Sequence, residues 1–338
     1  MRGRYSAMTL ALASLIPFAS SFAADTKLVK AVSDHFELYT TDNDAAAKAA
    51  LTHFETVRGY LLKSLHSADP FTVPVRIVAF KSSGEYAPYV PKGFDLTTNA
   101  FSSTNGDRAV IGMSGLKKED YQSGVREYAD LLLGRLDPKM PYWLKLGFSE
   151  FYSTLRPENG TIAMGAEPLR SFRGEVSPDF NMEVMFSLNG GINRNKGAAD
   201  FYAQQSLMSN ATTSSTSNST PNQFAKGDAM SNMEATTTVN YPVILWQLTH
   251  MLMFKREYSS KFGAFVQAVD GENTDAALGQ VYHQSLVGLK EDLLLYIKMP
   301  AHEVVHAKFQ LDKPMTPQVS QLSAADSAAV LAELRAAK

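Results

Sequence analysis

The chain has no cysteine. Disulfide staples, a thiol nucleophile and thiolate metal ligation are all excluded by that single absence. At 338 residues the fold does not need staples, because a chain of this length can bury an adequate core. The 45% of apolar residues is enough to build one. An excess of one charge is also missing. The chain has 32 basic against 34 acidic residues, net −2, so it carries no footprint for nucleic acid or an anionic membrane. Beyond the N-terminus no stretch approaches the roughly 18 apolar residues of a membrane span. Internal repeats are absent, and so are Gly-x-Ser-x-Gly, P-loop and Rossmann fingerprints.

What is present begins with a separable leader. Arg2 and Arg4 form a basic n-region, Ala7 to Ala19 an apolar core, and Ser21-Phe22-Ala23 a small-x-small cleavage site. Residues 1–24 read as a secretory signal peptide cut near Ala23, too short to span a membrane. An uncleaved anchor is the alternative. The expected address is periplasmic or secreted.

Residues 25–115 read as an α/β subdomain. His35 to Thr40 alternates as a strand, and Asp42 is expected to cap a helix from Asn43 to Ser64. Val73 to Phe80 is β-branched. Asn99–Ser103 and Arg108–Met113 flank Asn105-Gly106, a hairpin signal. Residues 116–300 read as mostly helical. Near 210–239 lies an insertion whose first part, Asn210 to Gln223, has almost nothing apolar to bury. Residues 301–338 read as an extended segment, Glu303 to Leu311, and then an Ala-rich terminal helix expected to fray. The class is α+β: a small N-terminal mixed sheet with helices, packed on a larger and mostly helical half.

The chain is organised around Gly124 to Leu155, two amphipathic helices joined at Asp137-Pro138. In a zinc peptidase of the His-Glu-x-x-His type, two histidines four apart on one helix face share a metal. The Glu beside the first activates the bound water, and a third ligand arrives from a second helix. The present chain has Phe36-Glu37-Leu38-Tyr39-Thr40, then Phe54-Glu55-Thr56-Val57-Arg58, then Arg126-Glu127-Tyr128-Ala129-Asp130-Leu131-Leu132. Pro141-Tyr142-Trp143-Leu144-Lys145-Leu146-Gly147-Phe148-Ser149-Glu150-Phe151-Tyr152 follows. From about Ser33 to Met299 this order resembles the peptidase-MA-like domains of bacteria, relatives of the gluzincin peptidases. The Trp-Leu…Gly…Glu-Phe-Tyr segment is the most specific part, and Phe201-Tyr202-Ala203-Gln204 looks like a further signature.

The resemblance implies a zincin-like helical half with a cleft at Arg126, Glu127, Asp130, Leu146 and Glu150. It also locates what has been lost. The two His positions hold Arg126 and Asp130, and the third-ligand Glu position holds Leu146. Only the water-activating Glu remains, as Glu127. A guanidinium stays protonated and cannot ligate, and Leu has no donor atom. Two carboxylates are too few oxygens for a hard cation. No metal and no cofactor is therefore expected here. Arg126 and Asp130 are four apart and able to pair. The expectation is that Arg126 stands in for the zinc and holds both Glu127 and Asp130, with a plain solvated helix face as the alternative.

His302-Glu303-Val304-Val305-His306 matches the zincin string literally. The motif needs a helix, and this stretch follows Pro300 and alternates. In a strand the two histidines would lie about 13 Å apart. Functionally the chain reads as an exported, catalytically inactive pseudo-peptidase that keeps its cleft for a peptide or protein. The alternatives are a zinc peptidase using His302, Glu303 and His306, a metal-free hydrolase with Glu127 as base, or a structural envelope protein.

Overall fold

A computed structural model describes residues 27–91, 99–168, 180–187, 241–269, 273–313 and 315–336. The leader, the 210–239 insertion and the Phe201-Tyr202 signature lie outside the described residues. Two parities of apolar residues build the main sheet. Phe36 and Leu38, Val75 and Ile77, and Ala109 and Ile111 point to one face; Tyr39, Val78, Phe80 and Val110 point to the other. The strands are β1 (Val29–Val32), β2 (Phe36–Thr40), β3 (Val75–Ala79), β4 (Ala100–Asn105) and β5 (Arg108–Met113), with β9 (Gln318–Gln321) from the far end of the chain. Their order is β4-β5-β3-β2-β1-β9. The β2–β3 and β3–β5 pairs are parallel and the others antiparallel.

Helices cover both faces. On the first face, α1 (Asp44–Ser64) and α3 (Lys118–Leu136) bury Leu51, Phe54, Val57, Val125 and Tyr128 against the sheet. On the second, Tyr86 of the short α2 (Ser83–Tyr86) is joined by Val330, Leu331 and Leu334 of the terminal helix α11 (Ala324–Ala336). The terminal helix, expected to fray, covers apolar surface that would otherwise face water. The Leu28 amide donates to Ser327 Oγ at 3.0 Å. Arg76 on β3 is bonded to Glu37 at 2.7 Å and to Glu333 of α11.

α3 turns through Asp137–Pro141 into α4 (Tyr142–Ser153). Behind α4 lies α6 (Tyr241–Phe254), and Gly147 sits at their crossing, where a Cβ would come 2.4 Å from Thr249 Oγ1. Trp143 anchors the start of α4, buried, with its indole donating to Thr274 Oγ1 at 3.2 Å. α5 (Met182–Ser187), α7 (Arg256–Ser259), α8 (Phe262–Ala268), α9 (Thr274–Tyr282) and α10 (Leu286–Ile297) complete the helical part. A second antiparallel sheet joins β6 (Arg156–Glu158), β7 (Thr161–Met164) and β8 (Val305–Lys308).

The class is α+β, as composition and periodicity indicate. Two boundaries differ from expectation. The α1 cap is Asn43 rather than Asp42, because Asn43 Oδ1 is the group that accepts the Ala46 amide, at 3.0 Å. β4 continues through Asn105, so its hairpin loop is the pair Gly106-Asp107. Among the described residues no helix is long and apolar enough to cross a membrane.

Candidate functional site

α3 and α4 run antiparallel with a polar seam between their inner faces. One rung is Gln122 Nε2 donating to Ser153 Oγ at 3.4 Å. One turn on, Arg126 Nη1 meets Glu150 Oε1 at 3.3 Å, and Arg126 Nη2 meets Glu127 Oε1 at 2.8 Å. A further turn on, Lys145 Nζ meets Asp130 Oδ1 at 2.7 Å. α3 presents every fourth residue, 122, 126 and 130, and α4 meets them with Ser153, Glu150 and Lys145. As α3 advances from 126 to 130, α4 retreats from 150 to 145, so the two helices run antiparallel along the seam.

The expected pairing is thus half right. Arg126 does hold two carboxylates, but its second partner is Glu150, not Asp130. The reason is that α4 supplies a closer partner for each group. The carboxylate of Asp130 is taken by Lys145, whose ammonium also lies 5.3 Å from the Tyr142 ring. Lys145 was not foreseen, though one signal was available. It is the only cation in the apolar run Tyr142–Tyr152, and a Lys buried in such a run requires a partner.

β4 forms one side of the site. Ser102 faces α3, and its hydroxyl donates to Glu127 Oε2 at 2.7 Å. Both oxygens of Glu127 therefore accept from neighbours. β4 is the terminal strand of the sheet, with β5 as its only strand neighbour among the described residues. Nearby, the Tyr86 hydroxyl is buried and has no hydrogen-bond partner among the described residues. Burial first, then the Glu127 carboxylate, raise its pKa, while Arg126 opposes. Glu150 is 5% exposed. Burial pushes its carboxyl up; Arg126 pulls it down and the Glu127 charge adds to the rise.

Could these residues hold a metal? The donors at positions 126, 130 and 146 are a guanidinium, a carboxylate already paired with an ammonium, and none. They do not fit a zinc ion. Among the described residues no group of three or more His, Cys, Asp or Glu side chains is arranged to hold one.

The second His-Glu-x-x-His string is not helical. His302 to Val304 is irregular, and His306 lies on β8 opposite Ala163. The His302 side chain is 3% exposed and pairs with Glu167 at 3.1 Å, whereas His306 is exposed. One unforeseen histidine pair lies elsewhere. His35 Nδ1 meets the buried Glu55 at 2.9 Å, a contact between β2's approach and α1 that no local spacing announces. No protein-family model, no curated protein and no solved structure matches the chain.

Proposed function

We propose that the chain is a pseudo-metallopeptidase on a zincin-like frame. It is an exported protein that keeps the cleft beside β4, α3 and α4 for a peptide or protein ligand and does not hydrolyse it. The observation that carries this reading is the α3–α4 seam. Two side-chain cations, Arg126 and Lys145, occupy the region where one divalent cation would be ligated, and each is neutralised by carboxylates of the same two helices. Glu150 fits the same account. In a zinc site the second ring nitrogen of a ligating histidine is usually oriented by a carboxylate, and Glu150 reaches residue 126 from that side.

A metal-free hydrolase using Glu127 is less well supported. Its two oxygens are engaged by Arg126 and Ser102, so an attacking water would have to displace a donor. A zinc peptidase using His302 and His306 would need a helix where the chain has an irregular stretch and a strand. Binding without cleavage draws on β4, whose outer edge can accept an extended segment as an added strand.

The test is to rebuild the metal site. Arg126→His, Asp130→His and Leu146→Glu together should confer about one zinc per chain by elemental analysis, while the unmodified protein carries none. A correctly folded triple variant without zinc would show that these helices are not a zincin frame. A mixture of unstructured peptides passed over the unmodified protein should be retained and recovered uncut; cleavage products would show that the protein is an enzyme.

A further inference from the structure

His250 is fully buried in the middle of α6. Its Nε2 lies 3.1 Å from the Gly165 carbonyl and 3.0 Å from the Glu303 carbonyl. Carbonyl oxygens only accept, so Nε2 carries the proton. The Phe151, Trp246 and Phe254 rings enclose the imidazole, so burial favours its neutral form; Nδ1 is then a lone pair, and the Tyr296 hydroxyl of α10 donates to it at 2.6 Å. The imidazole fastens three separate segments: the end of β7, α10, and the stretch leading into β8. The contact is close enough to demand Gly165, where φ is +87° and a Cβ would lie 2.8 Å from both the Glu303 carbonyl and His250 Nε2.

His302 follows the same logic. Its Nδ1 faces Glu167 Oε1, an acceptor, so Nδ1 carries the proton. Its Nε2 is buried and has no hydrogen-bond partner among the described residues. The two imidazole rings stand 5.4 Å apart, edge to face, with Trp246 and Tyr296 closing around them. The titratable and charged groups around the pair are Tyr296 from α10, Glu167 from beyond β7, and Glu303, whose charge acts on Tyr296. Glu167 is 53% exposed and screened by water; the Gly165 and Glu303 carbonyls on Nε2 favour the charged form of His250, and burial outweighs them. Phe151 of α4 and Phe254 of α6 pack on His250 and offer no charge.

We propose that His250, packed edge to face on His302, is an acid-sensitive latch whose protonation releases residues 302–308 from α6 and α10. Burial lowers the His250 pKa from its ordinary 6.5 to about 4, and the neighbouring His302 adds to the shift. The sign follows directly. A depressed folded-state pKa means that the open, solvated state binds the proton more readily. The latch is therefore fully closed above pH 6.5 and loosens as pH falls toward 4. Phe151 adjoins Glu150 in sequence, so the latch lies immediately behind the seam of α3 and α4.

The test is amide hydrogen exchange of β8 between pH 8 and pH 5, corrected for intrinsic rates. Opening of β8 should increase about 30-fold over that interval for one histidine shifted from 6.5 to about 4, while β2 and β3 are unchanged. His250→Gln, which can still donate and accept, should flatten the response. Nitrogen NMR of the unmodified protein provides a readout that does not depend on a variant folding. It should show His250 as the neutral Nε2–H tautomer down to about pH 5. Unchanged β8 protection at pH 5, or a His250 that titrates near 6.5, would overturn the latch.

Discussion

Arg126 is a single side chain that holds two carboxylates. It lies between Glu127 and Glu150, and Glu150 is nearly without solvent. Removing one partner of a buried pair leaves an uncompensated charge, which costs more than the pair itself contributes. Arg126→Met should therefore destabilise the protein by about 2–4 kcal/mol in urea unfolding at pH 7. Adding Glu150→Leu should return part of that loss, because the stranded carboxylate is gone. The loss should also shrink on acidification. Burial raises the Glu150 pKa, so the neutral carboxyl is the form the folded state prefers. Its contribution is present below the ordinary carboxylate range and lost as pH rises through the folded-state value. A penalty for Arg126→Met that is equal at pH 4 and pH 7 would count against a stranded carboxylate.

At the level of elements, the helix pair is readable from spacing because amphipathic periodicity is a property of one segment at a time. The seam is not. Arithmetic of i and i+4 sees only residues on the same helix, and it pairs Arg126 with Asp130. The actual partners, Glu150 and Lys145, are 24 and 15 positions away from them and belong to α4. The same limit hides His35–Glu55 and the His250–Tyr296 bond, 20 and 46 positions apart. Alternation in 303–311 was enough to set the second His-Glu-x-x-His string apart from a helix, yet nothing in it signalled that His302 would be buried against α6. The α4–α6 crossing is fixed by closeness rather than by polarity. Gly147→Ala should cost about 1–3 kcal/mol, since its Cβ would press on Thr249 Oγ1. Thr249→Ala in the same chain should recover part of the loss in thermal unfolding.

For the whole molecule, the stretch from β9 through α11 is what completes the main sheet. β9 pairs with β1 from Val29↔Gln321 to Val32↔Gln318, and α11 seals the face formed by Leu28, Tyr39, Val78, Phe80 and Val110. The composition of the Ala-rich tail suggests a loosely held end, because three buried apolar side chains on a weakly amphipathic helix leave little periodic signal. Ending the chain after Leu311 should remove both the last strand and this cover. The expected result is aggregation or a large fall in midpoint temperature, since a bare apolar sheet face is not tolerated in water. A truncated chain that stays monomeric with its midpoint unchanged would show that α11 contributes no stability.

The bond between Leu28 and Ser327 has a consequence in time. The two residues are separated by 299 positions, roughly 15–60 s of synthesis at 5–20 residues per second. Throughout that interval β1 has an unpaired edge and the outer face of the sheet has no cover. An early strand of the sheet is therefore among the last to be protected. Until the terminal segment arrives, a nascent chain depends on holding factors or on dilution to avoid edge-to-edge association.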